Sequence, residues 1–385
     1  MNMKKKITSI LLVACMTLTL AGCSTSTTTQ TNQSKETAAE TLPKNESGSK
    51  NEVKGNQGGF AYDPADFVSE KDPSQYKIAV LIKGTAEWFD RLELGVKKFS
   101  EDYGVNAVMI EPANPDAASQ LEMLDSLLTQ DYDAICVVPN DSSALETSLK
   151  GALDKKVVVI GHEASDLVNC LYDTEAFNAE QYGSAIAEQL AQAMGKSGVY
   201  GDMVGFTTSV NHMQYSEAEL AYMKKNYPDI TVVNDTLPTC ESQETVTTAY
   251  EQAKQVLKSN PEVTGFIGHA SGDGLGIAQA VEELGLAGKV HIVCGGTPNM
   301  YIDYLEKGTV DCVSVWDPMI SGYVMCQAAY NVLSGVEIGD GADLSGKAGF
   351  AEGYEKVTQV DGANRCLIGN APITATKENA REFGF

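Results

Sequence analysis

Indole and imidazole are scarce in this 385-residue chain, with two tryptophans and four histidines in all. Their placement is uneven. Trp88, Trp316, His162, His212 and His269 each fall just past a segment whose apolar pattern predicts a β-strand, and only His291 lies within one. Open parallel sheets bind ligands beyond the carboxyl ends of their strands, so these residues point to one shared cleft. An indole offers an apolar face, and a few convergent polar groups fix orientation. The set suits a small ligand with one apolar face and a hydroxylated edge. Trp88 and Trp316 are expected on opposite sides of that cleft.

Other chemistries are less well supported. His162, His212 and His269 with Glu163 carry donors that suit zinc, but their separations form no local ligand motif, and no metal or other cofactor is expected. Ser271 and His269 pair as nucleophile and base only on paper, since nothing around them resembles a nucleophile elbow. No catalytic residue is expected, and the chain is not read as an enzyme. Gly272-Asp273-Gly274-Leu275-Gly276 lacks the Lys-Ser/Thr of a phosphate loop and does not match G-x-G-x-x-G. It reads as a glycine-rich helix entry at the cleft, with Asp273 a candidate ligand acceptor.

The elements that must position these residues alternate. Near-continuous apolar runs at 77–82, 107–110, 134–138 and 157–160 suit strands buried on both faces, and helical spacing falls between them at 88–99, 117–128 and 145–153. The alternation restarts after Asp173. Strands are predicted at 202–206, 230–233, 265–267, 290–294 and 311–315, with helices at 179–194, 216–226, 245–259, 274–284, 299–307 and 319–334. The implied fold is α/β: two Rossmann-like lobes with parallel sheets, joined directly by a hinge. Residues 61–173 are assigned to an N-terminal lobe completed by a crossing region near 268–270 and by 318–355. Residues 174–316 form a C-terminal lobe completed by the tail 356–385.

The start of the chain sets the expected compartment. Lys4, Lys5 and Lys6 precede a short apolar run that closes on Leu20-Ala21-Gly22-Cys23. This pattern is similar to a lipoprotein leader, so residues 1–22 are read as a signal peptide and Cys23 as the acylated N-terminus. Residues 24–60 are polar and almost free of large apolar side chains, which predicts a flexible tether. The net charge of −24 makes nucleic acid an unsuitable partner. Beyond Cys15 and Cys23, seven cysteines remain without metal-site spacing and are expected to be mostly free, buried thiols.

Several motifs carry a family resemblance over nearly all of residues 76–385. Glu87-Trp88-Phe89 followed by Gly95, and Gly296-Thr297-Pro298, resemble the type I periplasmic sugar-binding proteins of ABC transporters. Thr297-Pro298-Asn299, Gly308-Thr309-Val310, Trp316-Asp317 and the tail from Pro372-Ile373-Thr374 to Phe385 are similar to the branch of autoinducer-2 and rhamnose receptors. The resemblance implies ligand contacts at Lys83, Trp88, Phe89, Gly161 with His162 and Glu163, Asn211 with His212, His269 to Ser271, Gly295, and Trp316 with Asp317. It further implies a monomeric, membrane-anchored, extracytoplasmic binding protein that delivers a sugar-like ligand to an ABC transporter permease. A receptor serving a sensor kinase is the alternative, and a metal-dependent surface enzyme a more distant one. This chain departs from the pattern in having Gly161-His162-Glu163 where sugar binders place an acidic residue after the fourth strand. It has Asn211-His212 where autoinducer-2 receptors have Asp-Gln, and Ser271 and Gly295 where two further aspartates are common.

Overall fold

Apolar runs such as Ile78-Ala79-Val80-Leu81 and Ala134-Ile135-Cys136-Val137 are buried on both faces and form the centre of a sheet, as β-branched runs between helices require. The computed structural model describes residues 60–385; the expected signal peptide, Cys23 and the tether up to residue 59 lie outside the described residues. The first lobe runs β1 (Lys77–Leu81), α1 (Glu87–Tyr103), β2 (Asn106–Ile110), α2 (Ala117–Leu127), β3 (Ala134–Val137), α3 (Ser142–Asp154), β4 (Val158–His162) and β5 (Tyr172–Glu175). The second follows as α4 (Ala179–Ala193), β6 (Gly198–Val204), α5 (Val210–Asn226), β7 (Ile230–Val232), β8 (Cys240–Glu241), α6 (Val246–Ser259) and β9 (Val263–Gly268). It continues through α7 (Asp273–Glu283), β10 (His291–Cys294), α8 (Pro298–Lys307) and β11 (Cys312–Val315). The closing elements are α9 (Pro318–Leu333), β12 (Thr358–Asp361), β13 (Arg365–Ile368), β14 (Ile373–Ala375) and α10 (Ala380–Phe383). Helix starts follow ordinary chemistry: Asp116, Asp141, Asn178, Thr245 and Asp317 each accept a first-turn amide.

Strand pairing defines two mostly parallel sheets. One has the order β12-β13-β5-β4-β3-β1-β2, the other β14-β11-β10-β9-β6-β7 with β8 beside the end of β6. Each carries one antiparallel edge strand, β12 on β13 and β14 on β11, so neither is purely parallel as the sequence suggests. The tail is therefore shared: β12 and β13 extend the first sheet, while only β14 joins the second. Residues 268–270 are not a crossing, because β9 and the following α7 both pack in the second lobe. The chain instead passes between the sheets three times: between β5 and α4, between β11 and α9, and between β13 and β14.

The second of these passages fixes the site. Helix α9 leaves the second sheet and packs so closely on α1 that a Cβ at Gly95 would run into the Met319 carbonyl. Only glycine permits that approach. Trp316 and Asp317 sit in this passage. Asp317 caps α9 and forms a forked pair with Arg91 of α1, at 2.9 and 2.7 Å, the geometry in which guanidinium and carboxylate bind most strongly. All seven cysteines among the described residues are unpaired, and all but Cys240 are buried.

Candidate functional site

The carboxyl ends of the two sheets face each other across a cleft. From the first lobe come Lys83 beyond β1, Trp88 and Phe89 on the first turn of α1, and Glu163 beyond β4. From the second come His212, Tyr215, His269 and Ser271, and the passage itself adds Trp316. The lobes close on a cavity of about 50 Å³. That holds a few waters but is far below the roughly 300–1,000 Å³ of ordinary ligand pockets.

Lys83 spans the closed cleft. Its ammonium lies 3.3 Å from Glu163 of its own lobe and 3.0 Å from Glu244 of the other, and the residue is 6% exposed. Burial disfavours the charged ammonium, but the two carboxylates outweigh that cost and hold it above its ordinary pKa. Glu163 and Glu244 both have a φ of 55°. This positive value lies in the left-handed region, where side chains other than glycine are strained. Such strain persists where the surroundings enforce it. Glu244 was absent from the sequence-based candidates because it follows a two-residue strand that has no readable period.

The two indoles do not face each other across the cleft. Their ring centroids are 5.5 Å apart with the planes at 73°, so they meet edge to face on one aromatic wall, a favoured arrangement for aromatic pairs. His162 stacks on Trp88 at 6.2 Å and 12°, and Phe177 meets Trp316 at 5.1 Å and 85°. The Trp316 indole N–H is buried without a protein acceptor. The sequence missed Tyr182, which lines the cleft and donates its hydroxyl to the Ser314 carbonyl at 2.5 Å. It sits in a long amphipathic helix where an aromatic reads as core.

Four expected side-chain contacts lie behind the wall, and Gly161 does not line the cleft either. His162 places Nδ1 2.5 Å from the Thr174 carbonyl, and Nε2 is left without a partner. A carbonyl can only accept, so Nδ1 carries the proton. Asn211 donates to Glu175 at 2.9 Å, tying α5 to the end of β5. Asp273 accepts from the His269 and Ala270 amides at 3.1 and 2.9 Å. Burial pushes its carboxyl up to about 7. Asp317 is held by Arg91. These residues shape the cleft wall without lining it.

Among the histidines, His212 accepts the Gly205 amide at Nδ1, at 3.2 Å. Its proton therefore sits on Nε2. Burial, then the charges of Lys83 and His269, lower its pKa well below the ordinary value, and it is neutral at pH 7. His291 lies apart, paired with Asp311 at 3.0 Å. The expected set of three histidines and Glu163 does not gather as metal donors. His269 instead meets two carboxylates the sequence did not single out, Asp202 and Glu219, at 2.9 and 3.5 Å from its Nε2. Asp202 lies inside strand β6 and Glu219 on α5, so only their complete burial reveals them.

Residues 78–337 match the periplasmic binding protein domain. The chain belongs to this family. The periplasmic binding protein described here is 22% identical over 60% of its length to a D-ribose/D-allose-binding protein of Pseudomonas aeruginosa, covering 73% of that protein. It is 23% identical over 60% of its length to a xylitol-binding protein of Mycolicibacterium smegmatis, of which it covers 63%. Among solved structures, it is similar to LsrB of Clostridium saccharobutylicum in complex with AI-2, with a TM-score of 0.72 and 20% identity over 80% of this chain and 100% of that one. An ABC transporter solute-binding protein of Clostridium phytofermentas with bound L-rhamnose gives a TM-score of 0.72 at 18% identity, covering 80% and 98%. These similarities place the two-lobed scaffold in the type I binding-protein fold.

Proposed function

We propose that this protein is the extracytoplasmic substrate-binding component of an ABC transporter, and that its two lobes close on one small sugar or polyol. The observation that carries the reading is the cleft itself: an aromatic wall of Trp88 and Trp316 set against hydrogen-bonding side chains from both lobes. An indole face takes the apolar face of a sugar, while carboxylates, imidazoles and hydroxyls take its hydroxyl edge. The relatives named for ribose or allose and for xylitol, and the scaffolds holding AI-2 and L-rhamnose, are consistent with such a ligand. No helix among the described residues is long and apolar enough to cross a membrane. Anchoring is assigned to acylated Cys23, and a permease receives the closed, loaded form.

A thermal-shift screen against aldopentoses, aldohexoses, deoxysugars and pentitols tests the ligand class. A ligand at about 100 times its Kd adds about 2.7 kcal/mol of apparent stability, so a true ligand stands clear of the panel. A uniform null across all classes would refute the sugar reading. The anchor is tested separately: Cys23→Ser leaves the protein unlipidated, either released or held as the uncleaved precursor, whereas wild-type protein free in the medium with an unmodified N-terminus would remove the lipoprotein assignment.

A further inference from the structure

Behind the cleft floor, three charged side chains from different elements of the second lobe converge. Asp202 lies on β6, Glu219 on the third turn of α5, and His269 directly follows β9. All three side chains have no solvent exposure. One donor atom from each lies within 4.8 Å of the others, and the His269 Nε2 distances to Asp202 and Glu219 are 2.9 and 3.5 Å.

The hydrogen bonds around this group do not close. Asp202 accepts from Ser216 at 2.9 Å as well as facing His269. Glu219 has no hydrogen-bond partner on either oxygen, although it is fully buried. The nearby Tyr200 hydroxyl is also buried and unpartnered. Buried carboxylates are paired with cations or coordinate metals, because an isolated buried charge is prohibitively costly. A single imidazolium balances one of the two carboxylates and leaves the other. A dication balances both and leaves the histidine neutral, as a metal ligand must be.

The geometry points to a divalent transition-metal site of the zinc type, built from His269 Nε2, Asp202 Oδ1 and Glu219 Oε2. Tetrahedral zinc with bonds of about 2.0–2.2 Å separates its ligand atoms by about 3.3 Å. The observed 2.9 and 3.5 Å bracket that separation. Ser216 Oγ, 3.2 Å from the same His269 nitrogen, or one water fills the fourth position. One imidazole with two carboxylates matches first-row divalent ions better than Ca²⁺ or Mg²⁺, which take oxygen donors. Metal-bound histidines normally donate their second ring N–H to an acceptor. His269 Nδ1 is buried and has no protein acceptor among the described residues.

The test uses tag-free protein with no sugar present, dialysed against a chelator and then titrated with Zn²⁺ or Co²⁺. The expected result is one equivalent bound, with visible Co²⁺ absorption bands of a four-coordinate ion. Glu219→Gln and Asp202→Asn should each weaken zinc binding at least a hundredfold while circular dichroism is retained. X-ray absorption of zinc-loaded wild-type protein should give one imidazole among light-atom ligands, without sulfur, and this readout holds even if neither variant folds. Absence of a bound equivalent, unchanged affinity in folded Glu219→Gln, or a sulfur-containing shell would overturn the site. The carboxylates would then be balanced by protons alone.

Discussion

Lys83 decides the energetics of the closed cleft at the level of single residues. Its buried ammonium separates two half-buried carboxylates from opposite lobes. Removing one partner of a buried ion pair typically costs roughly 3–5 kcal/mol. Lys83→Met leaves Glu163 and Glu244 facing each other, so the variant should populate the open form. Small-angle scattering should report a larger radius of gyration without ligand than for wild type; an unchanged radius would show that the bridge does not hold the lobes. Glu175 supplies a pH signature. Burial, then the charge of Asp173, raises its carboxyl well above the ordinary value. A raised carboxyl contributes stability below pH about 4.5 that is lost as pH rises through its folded value. Glu175→Gln should therefore flatten the decline in Tm between pH 5 and pH 8. A variant whose Tm falls as steeply as wild type over that range would contradict the assignment. Rare residue types made Trp88, Trp316, His212 and His269 readable, and the family resemblance added Lys83, Phe89, Glu163 and Ser271. Lys83, Trp88, Phe89, Glu163, His212, His269, Ser271 and Trp316 do line one cleft. Asp202, Glu219 and Glu244 carry no such mark, since a common acid is read as surface until its burial is known.

At the level of elements, the packing of α1 against α9 holds the aromatic wall in place. Gly95 and Gly322 let the helices meet, because a Cβ at Gly322 would run into the Leu92 carbonyl just as one at Gly95 meets that of Met319. Gly95→Ala forces the helices apart, and overpacking of this kind costs about 1–3 kcal/mol. Urea titration should show the lower midpoint with an unchanged slope, and a midpoint equal to wild type would mean the contact is looser than described. The central strands were legible because they are apolar on both faces. Strand β5 was not, because Asp173, Thr174 and Glu175 look like a loop although all three are buried. The start of α5 was also missed. The residues before Ser216 carry no apolar period, yet Val210 to Tyr215 form the turns that present Asn211 and His212. The hairpin of β12 and β13 is short and largely exposed on its outer strand, so its pattern is too weak to assign to a sheet.

The described residues form two sheets joined by three passages, and this connectivity makes hinge closure the natural motion. Sequence alternation revealed the two lobes but not how often the chain returns between them, because edge strands from the tail depend on pairing partners far away in the chain. Among the described residues, only the passage between β11 and α9 carries a tryptophan at the aromatic wall of the cleft. The chain has no tryptophan besides Trp88 and Trp316, and their edge contact makes intrinsic fluorescence a direct report on that wall. The decisive measurement is calorimetric and fluorescence titration of the strongest ligand from the sugar and polyol panel, on wild type and on Trp88→Ala. Truncating a buried aromatic anchor typically costs about 2 kcal/mol or more, near thirtyfold in affinity. One site per chain, a fluorescence change on binding, and affinity at least thirtyfold weaker in the folded variant are the expected results. Equal affinity in both proteins, or binding that leaves tryptophan emission untouched, would contradict the assignment of the inter-lobe cleft as the ligand site.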